Sequence, residues 1–336
     1  MPPLLQIPWL SAIAALAVTT SLAAGPAPPD QVAQLETLRA VDLRLATIAY
    51  RLTTANAALC RDLSPTPGWA IQSLGQYAPA SRAAARQVFG FERPIAVEAV
   101  VSGGPAEKAG IRPNDSLVSV DGAALPNGDP VAGTANSITR DAALAQIARK
   151  PIDRPLTLEL VRGGTARKVA IDAPAGCRSN FEILLTPGMD ASSDGVVVQI
   201  GVRFFERYGD EAVAAIVAHE LSHTILRHRQ RLDAAKVDHG LFAELGRNGR
   251  LFRATEGAAD QLSVSLLYNA GYDPLNAVRF WREHGGDVDG GLFRSRTHPS
   301  ASARAAAIAD EVARIPEGAP RPYVPTVLAT RDQPLN

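Results

Sequence analysis

The chain of 336 residues has no net charge, only two cysteines, and a single apolar run that stands out. Lys plus Arg and Asp plus Glu number 34 each, so no overall field draws the chain toward nucleic acid or anionic membrane. We therefore expect no nucleic-acid partner. Hydrophobic residues make up 46% of the chain, a balance typical of globular proteins with a sizeable core. A function must therefore rest on local sites.

The apolar run at residues 9–24 is too short to cross a bilayer comfortably. A Gly/Pro-rich stretch follows it, which is typical of a cleavage region and linker. We predict a signal peptide at residues 1–24 and a periplasmic or otherwise exported protein. The first eight residues contain no Lys or Arg, which argues for the alternative, an uncleaved anchor. No later stretch has the length of a membrane helix, so we expect no integral span in the mature chain.

Cys60 and Cys177 are the two cysteines. An even count in an exported protein favours one disulfide. The alternative is two buried free thiols. If bridged, the pair encloses a segment of just over a hundred residues.

The pattern of apolar residues predicts an α+β protein with a β-rich and a mostly helical region. Residues 25–87 are predicted to be a linker and an N-terminal helical segment, and residues 88–173 to alternate strands with short helices. Residues 177–315 are predicted to be mainly helical, with a small edge sheet. Residues 316–336 form a Pro-rich tail.

The stretch "SGGPAEKAGIRPNDSLVSVDG", residues 102–122, resembles a bacterial PDZ domain. The resemblance implies a short helix that Pro105 opens and Gly110 ends, followed by a strand and an Asp-Gly turn. It also places a carboxylate-binding loop at "VFGF", so Phe89, Gly90 and Phe91 are candidates for binding a peptide C-terminus. The alternative is that these aromatic residues start a strand and are buried.

The stretch "HELSH" lies in a long apolar helical pattern. His219 and His223 are four positions apart, so both imidazoles project from one helix face and can reach one metal ion. Glu220 follows the first histidine and is directed at a metal-bound water. The alternative is a pair of core histidines beside a salt-bridged glutamate. His228 comes five residues after His223, which rotates it off this face, so we expect it at the surface or helix end.

A catalytic zinc usually takes three protein ligands. Glu256 opens a second apolar helix in "EGAAD" and is the candidate for the third ligand. Asp260 lies one turn later on the same face, where it can hydrogen-bond a ligand imidazole. The alternative is that Glu256 only favours the helix N-terminus, where acidic residues are common.

"HELSH" with "EGAAD" some thirty residues later resembles zinc metallopeptidases of the HtpX and CAAX prenyl protease type. The resemblance covers roughly residues 180–315 and implies one Zn²⁺ held by His219, His223 and Glu256, with Glu220 activating water. It implies that His298, in "THPS", stabilises the oxyanion. Arg304 matches a basic position of that family, although a surface or salt-bridged arginine fits as well.

The resemblance implies a zinc-dependent metalloendopeptidase acting on exported proteins or peptides. The best-known members span membranes several times, and this chain lacks such spans, so we expect the soluble, exported branch. We expect residues 194–201 to be an edge strand that holds the substrate, and residues 232–254 are a candidate lid. Two other functions stay open: a non-catalytic PDZ adaptor that binds peptide C-termini, and a zinc amidase acting on the cell wall.

Overall fold

The computed structural model describes residues 28–128, 134–237, 246–288 and 300–335. Its helices and strands form an α+β fold with two units, as the sequence predicts. The predicted signal peptide at residues 1–24 lies outside the described residues.

Helix α1 (Pro29–Ala55) lies between the two units. It starts at a proline, whose fixed φ suits the first helical position. Leu45, Ile48 and Leu52 recur at helical spacing and are buried. Because α1 contacts the strands of the first unit and the helices of the second, it forms a wall common to both.

Among the described residues, the first unit is built on one sheet with three α-helices between its strands. A short strand, β1 (Leu63–Pro65), leads into it. The elements that follow are β2 (Trp69–Ser73), α2 (Arg82–Phe89), β3 (Ile95–Val100), α3 (Pro105–Lys108), β4 (Ser116–Val120), β5 (Ala123–Ala124), α4 (Ile138–Ala148), β6 (Leu156–Arg162) and β7 (Thr165–Ile171). The strand order is β2-β3-β4-β6-β7, with β5 paired to β4, and the neighbouring strands pair antiparallel.

The sheet of this unit begins earlier than the sequence predicts. Strand β2 pairs with β3 from Trp69 opposite Val100 to Ser73 opposite Ile95. The predicted boundary at residue 88 therefore falls after the first strand of this sheet. Five residues are too few for periodicity to distinguish a strand from a helix, so only the pairing with β3 fixes their conformation.

The predicted carboxylate-binding loop spans the end of α2 and the residues that follow it. Phe89 is the last residue of α2, and Gly90 caps the helix in the left-handed region at φ 62°. Phe89 and Phe91 are buried, with ring centroids 6.0 Å apart, and Tyr77 stacks on Phe89 at 5.6 Å. The aromatic side chains thus form a small core, and Gly90 and Phe91 also line a cavity of about 400 Å³.

In the residues that the structure describes, the second unit contains one three-stranded sheet and six α-helices. Its elements are β8 (Ala175–Cys177), β9 (Asn180–Leu184), β10 (Ala191–Ser193), β11 (Val197–Gly201), α5 (Val202–Arg207), α6 (Asp210–Ile225), α7 (His228–Ala234), α8 (Gly246–Asn269), α9 (Leu275–Val288) and α10 (Ala301–Arg314). Apolar residues of α6, α8 and α9 form most of the core.

A disulfide joins Cys60 to Cys177, with a Cα–Cα distance of 5.4 Å. Beside it, β1 pairs with β8 from Leu63 opposite Cys177 to Pro65 opposite Ala175. The bond and the ladder together hold the entrance and exit of the first unit side by side.

Strand β11 is central in the small sheet, whose order is β10-β11-β9. The expectation that residues 194–201 form an edge strand is therefore wrong. Gly195, at φ 91°, lets the chain turn so that β10 folds back on β11. The edge nearest α6 is β10, where Ser193 Oγ lies 2.9 Å from Thr224 Oγ1.

The apolar pattern around "HELSH" contains two helices rather than one. Helix α6 ends at Ile225, and Arg227 adopts the left-handed conformation at φ 56° before α7 begins. No glycine or proline lies at this break, so the sequence pattern predicts one continuous helix.

The Pro-rich tail packs on the second unit. Tyr323 N donates to Asn269 Oδ1 at 2.7 Å, and Arg231 Nε donates to Gln333 O at 2.9 Å. The candidate lid at 232–254 includes residues 238–245, which lie outside the described residues. Among the helices that the structure describes, none combines the length and the hydropathy of a membrane span.

Candidate metal centre

Helix α6 carries two of the candidate ligands into the interior. Its residues Val213, Val217 and Leu221 are fully buried in the main core, which fixes the rotation of the helix. His219 and Glu220 are both buried beside that core. A buried imidazole and a buried carboxylate are costly unless they are partnered, so this position needs a compensating group.

Helix α8 supplies that group. Glu256 is buried and lies against both histidines: His219 Nε2 is 3.3 Å from its Oε2, and His223 Nε2 is 3.5 Å from its Oε1. The two Nε2 atoms are 3.2 Å apart. The structure therefore brings together the three residues that the sequence selects as ligands, and α6 packs on α8 to do so.

These distances fit one tetrahedral ion. Zinc bonds nitrogen and carboxylate oxygen at roughly 2.0–2.2 Å, and a tetrahedron of that size separates its ligand atoms by roughly 3.3–3.6 Å. The contacts among His219, His223 and Glu256 span 3.2–3.5 Å. Two imidazoles and one carboxylate, with a fourth position left over, are also the donor set of a catalytic zinc.

Asp260 lies behind His219, one turn after Glu256 on α8. His219 Nδ1 donates to Asp260 Oδ1 at 2.9 Å, which leaves Nε2 free to bind a metal. Arg304 on α10 donates to both oxygens of Asp260, from Nε at 2.9 Å and from Nη2 at 2.6 Å. The guanidinium carbon also lies 3.6 Å from the ring centroid of Trp281. Arg304 is thus buried and salt-bridged, which is part of the alternative stated for it.

His228 departs from the sequence expectation. It is buried, and its Nδ1 lies 3.0 Å from Nδ1 of His223. The rotation argument assumed one continuous helix, but the left-handed Arg227 turns the chain so that α7 presents His228 to the back of His223. No residue type typical of a helix break lies at this turn. The only sequence signal for the contact is that His228 lies a few positions after His223.

Burial and charge set the protonation of the cluster. Burial, against the charges of His219 and Arg304, raises the pKa of Glu220 to about 7. Burial also lowers the pKa of His223 to about 4, which keeps its imidazole neutral. Burial alone would raise the pKa of Glu256, but His223 and His219 outweigh it and hold that pKa far below its usual range.

His219 behaves differently from His223. Burial and Arg304 oppose its protonation, yet its bonds to Asp260 and Glu256 raise its pKa to about 10. Asp260 and Glu256 therefore favour a positive charge on the imidazole of His219, which lies between them. A divalent ion at Nε2 can supply that charge in place of the proton, so the electrostatics of the cluster fit a metal as well as its geometry does.

His298, the predicted oxyanion group, lies outside the described residues. The description resumes at Ser300, which caps α10 by accepting from Ala303 N at 3.1 Å.

The comparisons with known proteins match two parts of the chain. Residues 96–134 match the model of a PDZ domain, and residues 239–312 match the model of peptidase family M48. The second span includes Glu256, Asp260 and Arg304 and begins after the helix that carries His219 and His223, which the structure sets against it. A search of curated proteins returned no match. The chain therefore carries a domain of peptidase family M48, a family of zinc-dependent metallopeptidases, together with a PDZ domain.

Proposed function

We propose that the chain is a zinc metalloendopeptidase that hydrolyses peptide bonds in exported proteins or peptides. One observation carries the proposal: two imidazole nitrogens and one carboxylate are spaced for a tetrahedral ion, with a buried glutamate beside them. His219, His223 and Glu256 would hold one Zn²⁺. When bound, zinc polarises the scissile carbonyl and lowers the pKa of water to about 7.

Glu220 is the general base in this proposal. Its pKa, raised to about 7 by burial, lies near neutral pH, where a group both accepts and returns a proton efficiently. It would take a proton from the attacking water and deliver it to the leaving amine. Because Glu220 follows His219 on a rigid helix, its distance from the reacting atoms is fixed by the same packing that fixes the ligands.

Asp260 and Arg304 position the ligands rather than contact the substrate. Asp260 selects the tautomer of His219, and Arg304 fixes both oxygens of Asp260. Arg304 is itself held against Trp281, so little of its side chain is exposed to a substrate. The oxyanion role is proposed for His298 on the family resemblance alone.

The exported location remains part of the proposal. Its support is the apolar run at residues 9–24 and the disulfide, since disulfides persist in oxidising compartments. Protein or peptide ligands follow from the pairing of a peptidase domain with a PDZ domain. We propose that the PDZ domain recruits substrate or regulates cleavage.

A Glu220→Gln variant tests the mechanism. It should fold and bind zinc at the wild-type ratio, measured by metal analysis, and should lose cleavage of an unfolded protein such as casein. A Glu206→Gln variant, at an exposed glutamate paired with Arg203 on α5, is the matched control and should cleave normally. Undiminished cleavage by Glu220→Gln would remove this residue from the mechanism.

The two other functions give different results in the same experiment. A non-catalytic PDZ adaptor would bind zinc and never cleave casein in any form. A cell-wall amidase would release amino groups from peptidoglycan and leave casein intact. The PDZ domain argues against the amidase, because such modules bind polypeptides.

A further inference from the structure

Helix α7 carries His228 to the back of the metal centre, yet its apolar contacts lie elsewhere. In the described part of the chain, no apolar residue of α7 belongs to the main core. Its buried Leu232 packs in a separate small cluster with Val237 and Leu251. The helix has seven residues, and a helix of that length is marginal by itself. Contacts from other segments must therefore help to fix its position.

Segment 331–335 supplies such contacts along α7. Arg231 Nε donates to the carbonyl of Gln333 at 2.9 Å. Leu335 packs on the small apolar cluster of α7. Both contacts lie after His228 on the helix, and they join it to a segment that is distant in the sequence.

Asp332 adds a contact just before His228. Its Oδ1 lies 3.7 Å from Nη1 of Arg227, the left-handed residue between α6 and α7. Its Oδ2 lies 2.5 Å from Nη2 of Arg61. Among the residues that the structure describes, neither arginine has an ion pair with another carboxylate. An exposed pair alone contributes little to stability, but one carboxylate shared by several arginines forms a network.

The other side of this network is held in place by the disulfide and the main core. Arg61 follows Cys60, which the disulfide fixes. Arg331 Nη1 donates to the carbonyl of Leu59, on the other side of that cysteine, at 2.6 Å. Shortly before the segment, Val327 is buried in the main core. The segment therefore joins the turn between α6 and α7 to a fixed part of the molecule.

The carboxylate is also needed to offset repulsion between cations. Arg331 Nε lies 3.6 Å from Asp332 Oδ2, so three guanidinium groups converge on Asp332. Removing the carboxylate would leave Arg61, Arg227 and Arg331 to repel one another. Arg231 comes four positions after Arg227, and like charges at that spacing destabilise a helix. The start of α7 therefore depends on Asp332.

We propose that segment 331–335, through Asp332, is a positioning element of the metal centre, because it holds α7 so that His228 stays against His223. His228 Nδ1 lies 3.0 Å from Nδ1 of His223, whose Nε2 faces the other ligands. A fixed partner at one ring nitrogen orients a ligand imidazole, and losing that partner weakens metal binding. The inference rests on the proposed function, but the placement of α7 can be measured without a metal.

Zinc affinity, measured by competition with a chromophoric chelator, is the first test. Asp332→Lys puts a positive charge among the three arginines, and zinc affinity should fall about tenfold. Asp332→Glu keeps the negative charge and should restore most of the affinity. Glu317→Lys makes the same charge change at an exposed residue of the tail, and it should bind zinc as the wild type does.

A double-mutant cycle tests whether Asp332 acts through His228. In the His228→Leu background, Asp332→Lys should cause no further loss of zinc affinity, because the contact that Asp332 maintains is already gone. An equal loss in both backgrounds would show that Asp332 acts by another route and would overturn the proposal. No loss in the wild-type background would overturn it as well.

A measurement on the zinc-free chain separates this proposal from the proposed function. Diethyl pyrocarbonate modifies accessible imidazoles, and tandem mass spectrometry locates the modified histidines. His228, which is 1% exposed, should be protected in the wild type. In Asp332→Lys it should react at a rate approaching that of the partly exposed His284. A wild type that binds no zinc would contradict the proposed function, whereas equal protection of His228 in the two proteins would overturn the role of Asp332.

Discussion

The pKa values of two buried glutamates of this protein are shifted in opposite directions. Glu256 and Glu98 are 8% and 2% exposed, yet the pKa of Glu256 is far below its usual range and that of Glu98 well above it. Burial raises both, so the partners decide the outcome. Glu256 faces two histidines and lies near Arg304, whereas Glu98 faces the carboxyl of Asp42.

The difference separates two kinds of buried acidic cluster. In the metal centre, the histidines and Arg304 outweigh burial at Glu256 and Asp260, and both carboxylates stay charged. Between α1 and β3, burial outweighs Arg140 at Asp42 and Arg39 at Glu98, so the pKa values of both carboxyls are raised. The strength of the neighbouring positive charges therefore decides whether a buried carboxyl stays ionised.

The largest effect should come from removing the carboxylate of the metal centre. Glu256→Gln leaves two imidazoles and no anionic ligand, so zinc affinity should fall by more than the roughly 10–100-fold typical of lost supporting groups. Cleavage should fall to background with it. Zinc content after dialysis and casein cleavage check this, with the exposed Glu317→Gln as control. Full zinc retention would show that Glu256 is not a ligand.

Arg304→Met should be the next most damaging change. It leaves Asp260 buried without its salt bridge, and breaking a buried pair typically costs about 3–5 kcal/mol. We expect a loss of that order in the free energy of unfolding, measured by urea denaturation of zinc-loaded protein. Arg203→Met, at an exposed arginine paired with the exposed Glu206 on α5, should cost about 1 kcal/mol or less. Equal losses in the free energy of unfolding would show that the Arg304 salt bridge contributes no more to stability than an exposed pair.

His228 should have a smaller effect, on metal affinity. His228→Leu removes the nitrogen that lies against His223 Nδ1, and zinc affinity should fall about 10–100-fold. His228→Gln keeps a hydrogen-bonding group there and should recover part of the affinity. A zinc competition titration with a chromophoric chelator measures both. If the two variants bind zinc equally, His228 acts only through packing.

The smallest effect concerns the acidic pair formed by Asp42 of α1 and Glu98 of β3. Asp42 has a folded pKa of about 6, above its unfolded value of about 4, so its contribution to stability is present below about pH 4 and is lost as the pH rises through about 6. Burial and Asp42 hold the folded pKa of Glu98 well above its usual range, so its ionisation costs stability in the same way, and Glu98→Gln removes that group. The variant should therefore gain about 1–2 kcal/mol relative to the wild type between about pH 4 and pH 7. A constant difference between the two unfolding curves would contradict this account.

Much of the metal centre was predictable because its signal is local. The spacing of His219 and His223 places both imidazoles on one helix face, and Glu256 and Asp260 repeat that geometry on the next helix. His228 was misplaced because a left-handed Arg227, invisible in the residue pattern, divides the helix. The sequence left open whether Phe89 and Phe91 are buried, because long-range packing with Tyr77 decides it.

The tests share one underlying claim, that a metal ion is held by two imidazoles of α6 and one carboxylate of α8. Zinc-edge X-ray absorption on the purified, zinc-loaded chain tests it most directly, with Glu256→Gln measured alongside. The account predicts two imidazole nitrogens and one carboxylate oxygen at roughly 2.0–2.2 Å, with the carboxylate contribution lost in Glu256→Gln. Zinc bound with the same spectrum in both proteins, or no zinc in either, would contradict it.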